Sequence, residues 1–379
     1  MLYVFSAVVV TIQRGVFQFA NDYAIFRASF WNLLRGRDLY ALHVDQAHDV
    51  FKYSPTFAAL FAPLSLLPSS IGLLIWNVLG ASMLIYAIVR LLPEHKANLV
   101  LLIAYLPMLR NLQSTQSNTL VAALIILAFV ALERGEQWRG ALAVGIGAAI
   151  KIFPLAALSL AIPHRHRLRF AVCFIVIAIA LLILPLLFTS PYLLAAQYRA
   201  WAVLEAREIQ DSGASVMGMV HTWLRLDWPT VGVQIGGTVL LLLPVCFRRQ
   251  LWMETPHLRL RFLALLLVYC VIFNQKAEPQ SYVIALVGIA IWYVVSPRSG
   301  WHTALLVIAL MLTSGLGPIP EFIKAPLTPL IRRPLPCTVV WLVMQAELIA
   351  ALRFAPSEMT STRLAAVTER EVVVVPTTE

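Results

Sequence analysis

The chain has 379 residues, of which 60% are hydrophobic and 13% charged, with a mean hydropathy of +0.80. Soluble domains carry about 25% charged residues, so this composition excludes a soluble globular protein and points to a polytopic helical membrane protein. The net charge of +10 comes without a soluble basic domain to grip nucleic acid; lysine and arginine collect at membrane surfaces through the insertion bias and anionic lipid.

Residues 2–19 are the first expected span. Residues 2–12 have no basic region before them and no small-residue cleavage site after, so they do not read as a signal peptide. The span is short, and a start upstream of Met1 is the expectation. The stretch 21–68 is the first long segment that is not simply apolar. Tyr23, Phe26, Phe30 and Leu33 recur at helical spacing with Arg27, Asn32 and Arg35 on other faces, which predicts an interfacial helix closed by Gly36. After a polar loop, the apolar run 57–67 is bracketed by Pro55, Pro63 and Pro68. About eleven residues fall short of a ~30 Å hydrocarbon core, so a re-entrant or interfacial piece is expected.

A long span follows at 69–92. The apolar pieces 98–109 and 119–132 flank the polar RNLQSTQSN at 110–118. Residues 141–163 carry Lys151 and Pro154 inside an apolar run. A single crossing would put the basic loops at 134–139 and 164–169 on opposite sides. A turn at Lys151–Pro154 puts them on one side, as the positive-inside bias favours, with irregular backbone lining a protected cavity. Further spans are expected at 168–188, 230–247, 260–274, 281–296, 301–317 and 337–352. The expected fold is all-α: one integral membrane domain over 1–353, a polytopic transmembrane bundle with its N-terminus inside and with interfacial and re-entrant helices in its outer-face loops. Those outside loops are 20–68, 110–118, 189–229, 274–280 and 317–336. The polar tail 354–379 is expected to be cytoplasmic and disordered. No internal repeat of the transporter kind is visible. Cys173, Cys246, Cys270 and Cys337 have no ligand spacing and read as small buried apolar residues.

Long loops gathered on one side suggest a site there. Asp22 reads equally as a general base in a low-dielectric position or as the cap of the helix that follows. Lys151, at membrane depth beside a helix break, is a functional candidate or a snorkelling lysine. Lys276, Glu278 and Gln280 cluster between two spans, where Lys276 can neutralise a phosphate as a point charge or pair with Glu278 in an ordinary hairpin. Gln113, Gln116 and Asn118 offer amides suited to sugar hydroxyls, or simply make a loop polar. His164 and His166 stand among Arg165, Arg167 and Arg169, which repel a cation, so no metal is expected. There is no P-loop and no dinucleotide-binding glycine pattern.

The ordered pieces ND-Y at 21–23, LLRGRDLY at 33–40, YSPTFAALFAPLSLLP at 53–68, QSTQSNTLVAALIILA at 113–128 and GIGAAIKIFPLAAL at 145–158 resemble glycosyltransferase family 87 of the GT-C superfold. The resemblance covers roughly 20–165 well and the C-terminal half loosely. It implies transfer of a hexose, above all mannose, from a polyprenyl-phosphate sugar donor to a lipid or glycan acceptor at the extracytoplasmic face of the cell (inner) membrane, with inversion. The family's acidic residue in the first outer loop, its catalytic base, maps to Asp22. Lys276, Lys151 and Arg27 become candidate partners of the donor phosphate. Gln113, Gln116, Asn118, Tyr53, Glu278 and Gln280 become candidates for sugar or acceptor binding. A sugar phosphate is already activated, so one base and cations for the leaving phosphate suffice, and no cofactor is expected. Two features depart from the family. AEPQSY at 277–282 has no histidine where the family often carries one, and the family's Gly-Gln-x-Asn stands here as Thr115-Gln116-Ser117-Asn118. The competing classes are a transporter or lipid-linked sugar flippase, which would place charges in several spans between short outer loops, and a structural subunit.

Overall fold

Hydrocarbon offers the backbone no water, so an apolar chain closes its hydrogen bonds internally as helix. The computed structural model describes residues 1–17, 20–208, 213–226, 228–314 and 333–354, and among them there is no strand. The helices are α1 (Leu2–Val16), α2 (Asn21–Leu34), α3 (Pro55–Leu60), α4 (Ala62–Ser65), α5 (Ser69–Leu91), α6 (Glu94–Gln113), α7 (Asn118–Glu133) and α8 (Gln137–Ile150). A 3-10 segment, Phe153–Ala161, precedes α9 (Arg167–Ile183), α10 (Pro191–Glu208), α11 (Val216–Leu224), α12 (Thr230–Leu242) and α13 (Arg249–Glu254). The chain continues through α14 (Pro256–Ile272), α15 (Tyr282–Val295), α16 (Gly300–Ser314) and α17 (Pro334–Phe354). Ser69–Leu91, Arg167–Leu187 and Pro334–Arg353 are long and apolar enough to cross a membrane, and the expected all-α polytopic architecture is what the molecule has.

Helices α14 and α15 form the centre and are buried along almost their whole length. They touch at backbone distance: a Cβ on Gly288 would lie 2.7 Å from the Ala264 carbonyl oxygen and 2.9 Å from Leu267 Cβ. Small residues let membrane helices approach in this way. Helix α9 is the opposite case. It buries Phe170 and exposes apolar side chains such as Leu168 (77%) and Val176 (61%), the surface a helix presents to lipid.

Tyr23, Phe26, Phe30 and Leu33 are all buried on α2. Asn32 is buried as well, contrary to its expected outward place, because its amide donates to Gln46 Oε1 at 2.9 Å. Gly36, at φ +67, follows the helix end. The run after Pro55 breaks into the short helices α3 and α4. Residues 110–113 are not loop: α6 runs through Pro107 to Gln113, leaving a four-residue turn, 114–117. The polar segment 189–229 is largely helical, as α10 and α11. The expected loop at 317–336, up to residue 332, and the tail beyond 354 lie outside the described residues. Of the cysteines, Cys270 and Cys337 are buried, whereas Cys173 is half-buried and Cys246 exposed.

The chain does break at Lys151. Pro154 follows and packs on Gly147, its Cβ 3.2 Å from where a Cβ there would sit. The 3-10 segment then runs back along α7 and α8, and His164 Nε2 ends 3.4 Å from Glu133 Oε1, at the far end of α7. The histidine that lacked a carboxylate in its own loop thus meets one in space. Burial pushes its imidazole below the ordinary value, against the pull of Glu133. Arg259 grips the same carboxylate as a fork, Nε to Oε1 at 2.6 Å and Nη2 to Oε2 at 2.7 Å, and also donates to the carbonyls of Trp252 and Met253. The basic segments at 134–139, 164–169 and 247–250 therefore gather around one end of the bundle. Both partners are about nine-tenths buried, so removing one strands a charge. Arg259→Ala is expected to destabilise the detergent-purified protein by about 3–5 kcal/mol, seen as a lower unfolding midpoint; an unchanged midpoint would contradict this account of the anchor.

Candidate functional site

At the other end, the turn between α6 and α7 sets the site. Thr115 adopts a left-handed backbone, φ +52. For a β-branched residue this costs of order 1–3 kcal/mol and persists only when neighbours hold it. Here they do. The Trp76 indole donates to the Thr115 carbonyl at 2.8 Å, Asn111 Nδ2 donates to the Gln116 carbonyl at 2.9 Å, and the Tyr23 amide donates to Thr115 Oγ1 at 3.2 Å. The last bond fixes the start of α2 and with it Asp22.

Gln116 projects from this turn into a cluster of charged and polar side chains. Its Nε2 donates to Asp22 Oδ2 at 2.9 Å and to Glu278 Oε2 at 3.4 Å, while its Oε1 accepts from the Tyr53 hydroxyl at 3.1 Å. Lys151 lies over the Tyr53 ring, 5.8 Å from its centroid, and donates to Asn118 Oδ1 at 2.9 Å. Lys276 Nζ is 2.8 Å from Glu205 Oε1 rather than paired with Glu278. Asp22 does not cap its helix: Ala20 occupies the N-cap and no side chain caps it. Burial, first of all, pushes the Asp22 carboxyl up to about 6. The Glu278 and Asp49 charges push the same way, and the Gln116 bond and Lys151 charge oppose them. A carboxylate poised this close to neutrality suits proton abstraction.

The cluster forms the polar head of a cavity of about 1230 Å³. Asp22, Tyr53, Gln116, Lys151, Lys276 and Glu278 all line it. The remaining wall is mostly apolar, with Phe153, Leu155, Leu158 and Ile162 from the 3-10 segment and its end, and Val231, Ile235 and Leu242 from α12. At the rises of these elements this apolar part extends for roughly 17 Å. Asn118 meets the cluster through Lys151. Arg27 does not: its Nη2 points to the Leu67 carbonyl at 3.5 Å, away from the cavity. Gln113 and Gln280 are half-buried and do not line the cavity either. Trp201 and Glu205 of α10 do line it and escape a reading that treats 189–229 as loop. Their spacing of four, which puts both on one helical face, is the signal that finds them.

The electrostatics are testable without any substrate. Carbodiimides modify protonated carboxyls, so the pH dependence of labelling at Asp22 reports its titration. A midpoint near 6 is expected. Gln116→Leu removes a bond to the ionised form and should move the midpoint up. Glu278→Gln removes a like charge and should move it down. Shifts of the opposite sign, or none, would refute the assigned causes.

No curated protein matches the chain. The model of glycosyltransferase family 87 matches residues 51–316, which include Tyr53, Gln116, Lys151, Lys276 and Glu278, with Asp22 lying ahead of the matched region. With most of its length matched and with a helical membrane architecture, the chain belongs to glycosyltransferase family 87, a family of membrane glycosyltransferases.

Proposed function

We propose that the protein transfers a hexose, mannose in the first place, from a polyprenyl-phosphate sugar to a lipid or glycan acceptor on the extracytoplasmic face of the cell membrane, with inversion at the anomeric carbon. The observation that carries this reading is the division of the cavity. A carboxylate raised to about 6 sits with two lysines at the polar head, and an apolar groove leads away from them. A polyprenyl phosphate has the same division, and lipid delivery makes a nucleotide-binding domain unnecessary. Asp22 takes the proton of the acceptor hydroxyl as its oxygen attacks C1 of the sugar. The bond from C1 to the phosphate oxygen breaks, and polyprenyl phosphate leaves with the electron pair. Lys151 and Lys276 offset its charge. Gln116, Tyr53, Asn118 and Glu278 remain candidates for sugar hydroxyls, while the position of Arg27 argues against a part in holding phosphate. The placing of the face rests on charge. Basic loops favour the cytoplasmic side, and three of them meet around Glu133 and Arg259, opposite the cavity's polar head. By the same reasoning residues 1–353 act as one membrane domain with its working loops outside.

Membranes carrying the wild-type chain and Asp22→Asn at matched expression would be given labelled polyprenyl-phosphate sugars. Wild type is expected to transfer label, preferring the mannosyl donor, with kcat/KM falling as pH drops through about 6. Asp22→Asn should lose roughly 10²–10⁴-fold. Equal transfer by both would move the base elsewhere, and flipping of the donor lipid without transfer would overturn the reading in favour of a flippase.

A further inference from the structure

Helix α10 contributes Trp201 and Glu205 to the cavity wall and is tied down along one face. Gln197 Nε2 donates to the Arg37 carbonyl at 2.8 Å, and its Oε1 accepts from the Leu39 amide at 3.1 Å. The Tyr198 hydroxyl lies 2.8 Å from Thr56 Oγ1 and donates to the Leu182 carbonyl at 3.0 Å. Glu205 closes the row through its ion pair with Lys276. Trp201 stands between these ties and lines the cavity. Its ring is braced by Tyr198, with centroids 6.4 Å apart and planes 58° apart. Its Nε1 proton is enclosed yet has no hydrogen-bond partner among the described residues. Indole N–H groups in such positions usually find one.

A fixed indole with a spare donor, one helical turn from a carboxylate, has the chemistry of a carbohydrate platform. The electron-rich face of an indole attracts the polarised C–H bonds on the apolar side of a pyranose. Its N–H reaches a hydroxyl at the ring's edge, and a carboxylate accepts from a second. The groove walls that suit the donor's lipid come from the 3-10 segment and α12, whereas Glu205 meets the polar head through Lys276, so α10 borders the head, where the acceptor must meet the donor sugar. We propose that Trp201 and Glu205 bind the sugar ring of the acceptor, Trp201 stacking on the pyranose and donating from Nε1, and Glu205 accepting a hydrogen bond from a ring hydroxyl. This rests on the glycosyl-transfer reading, and it makes the acceptor a glycoside rather than a bare lipid.

Octyl α-mannoside serves as the probe acceptor, with octanol as its sugar-free counterpart, on the purified full-length protein. Kinetics with a polyprenyl-phosphate-mannose donor and direct binding titrations run side by side for wild type, Trp201→Phe, Trp201→Ala and Glu205→Gln, each checked for a wild-type unfolding midpoint. Trp201→Ala is expected to raise the KM for octyl mannoside at least tenfold while the donor KM stays within twofold. Trp201→Phe, which keeps a ring but loses the N–H, should fall between, and Glu205→Gln should raise the acceptor KM several-fold. An unchanged acceptor KM in Trp201→Ala, or donor and acceptor KM rising together in that variant, would overturn the proposal. Should wild type transfer nothing, the transfer reading fails on its own terms and the titration decides. Mannoside bound in preference to octanol by wild type and lost in Trp201→Ala supports the platform. Equal binding by both, or none by wild type, overturns it.

Discussion

The site depends on the amide of one side chain. A carboxamide is the neutral group that offers donor and acceptor from a single plane, and Gln116 uses both, donating N–H to two carboxylates and accepting at its oxygen from a phenol. Three stretches of chain are joined there, the start of α2, the loop before α3 and the loop between α14 and α15. The amide is aimed by the left-handed Thr115 beside it. Where the family pattern Gly-Gln-x-Asn has a glycine, which adopts that backbone freely, this chain has a threonine. Its hydroxyl accepts the Tyr23 amide, a bond glycine has no atom to make, and that bond offsets part of the backbone cost.

The two ends of the bundle treat charge in opposite ways. Around Glu133 the carboxylate is met by an arginine fork and a histidine, and the guanidinium spends its other donors on two carbonyls. Such saturation is what a buried ion needs if nothing else is to bind it. Around Asp22 the groups are partnered more sparsely. Among the described residues Asp22 accepts one amide bond, Lys151 donates one bond and rests on a ring, and the Asn118 amide nitrogen is enclosed without a partner. Sparse pairing in an enclosed place is costly for stability and leaves lone pairs and protons for a ligand.

Much of this was legible in the amino-acid order because it obeys local rules. The spacing of Tyr23, Phe26, Phe30 and Leu33 follows the helical repeat, and their burial follows from it. A lysine and a proline three apart inside an apolar run mark a break that no continuous helix would tolerate at low cost. Other features answer to non-local physics. A proline inside a helix costs a backbone bond, yet membrane helices accommodate one where neighbours re-satisfy the backbone, so α6 carries on through Pro107 to Gln113. Arg27 looks close to Asp22 along the chain, but five residues at 3.6 per turn place the two roughly 140° apart around α2. Asn32 reads as a polar-face residue because its partner, Gln46, lies across a loop whose path no periodicity reveals. Trp201 and Glu205 are hidden for a related reason: α10 mixes polar and apolar residues all round, and which face matters is decided by what it covers.

The bridge through Gln116 also sets an order of events in time. Asp22 lies 94 residues before it and Glu278 lies 162 residues after it. A chain made and inserted from its N-terminus can seat Asp22 against the amide while the second carboxylate is still unsynthesised. Through that interval the amide has one anionic partner, and Asp22 lacks the like charge that adds to the effect of burial. The central pair α14 and α15 must be built and docked before the last bond can close, and contacts so distant in sequence form slowly. The finished arrangement of charges is thus one of the last features the folding chain acquires, and a chain cut short of residue 278 holds an aspartate without the electrostatic setting of the mature site.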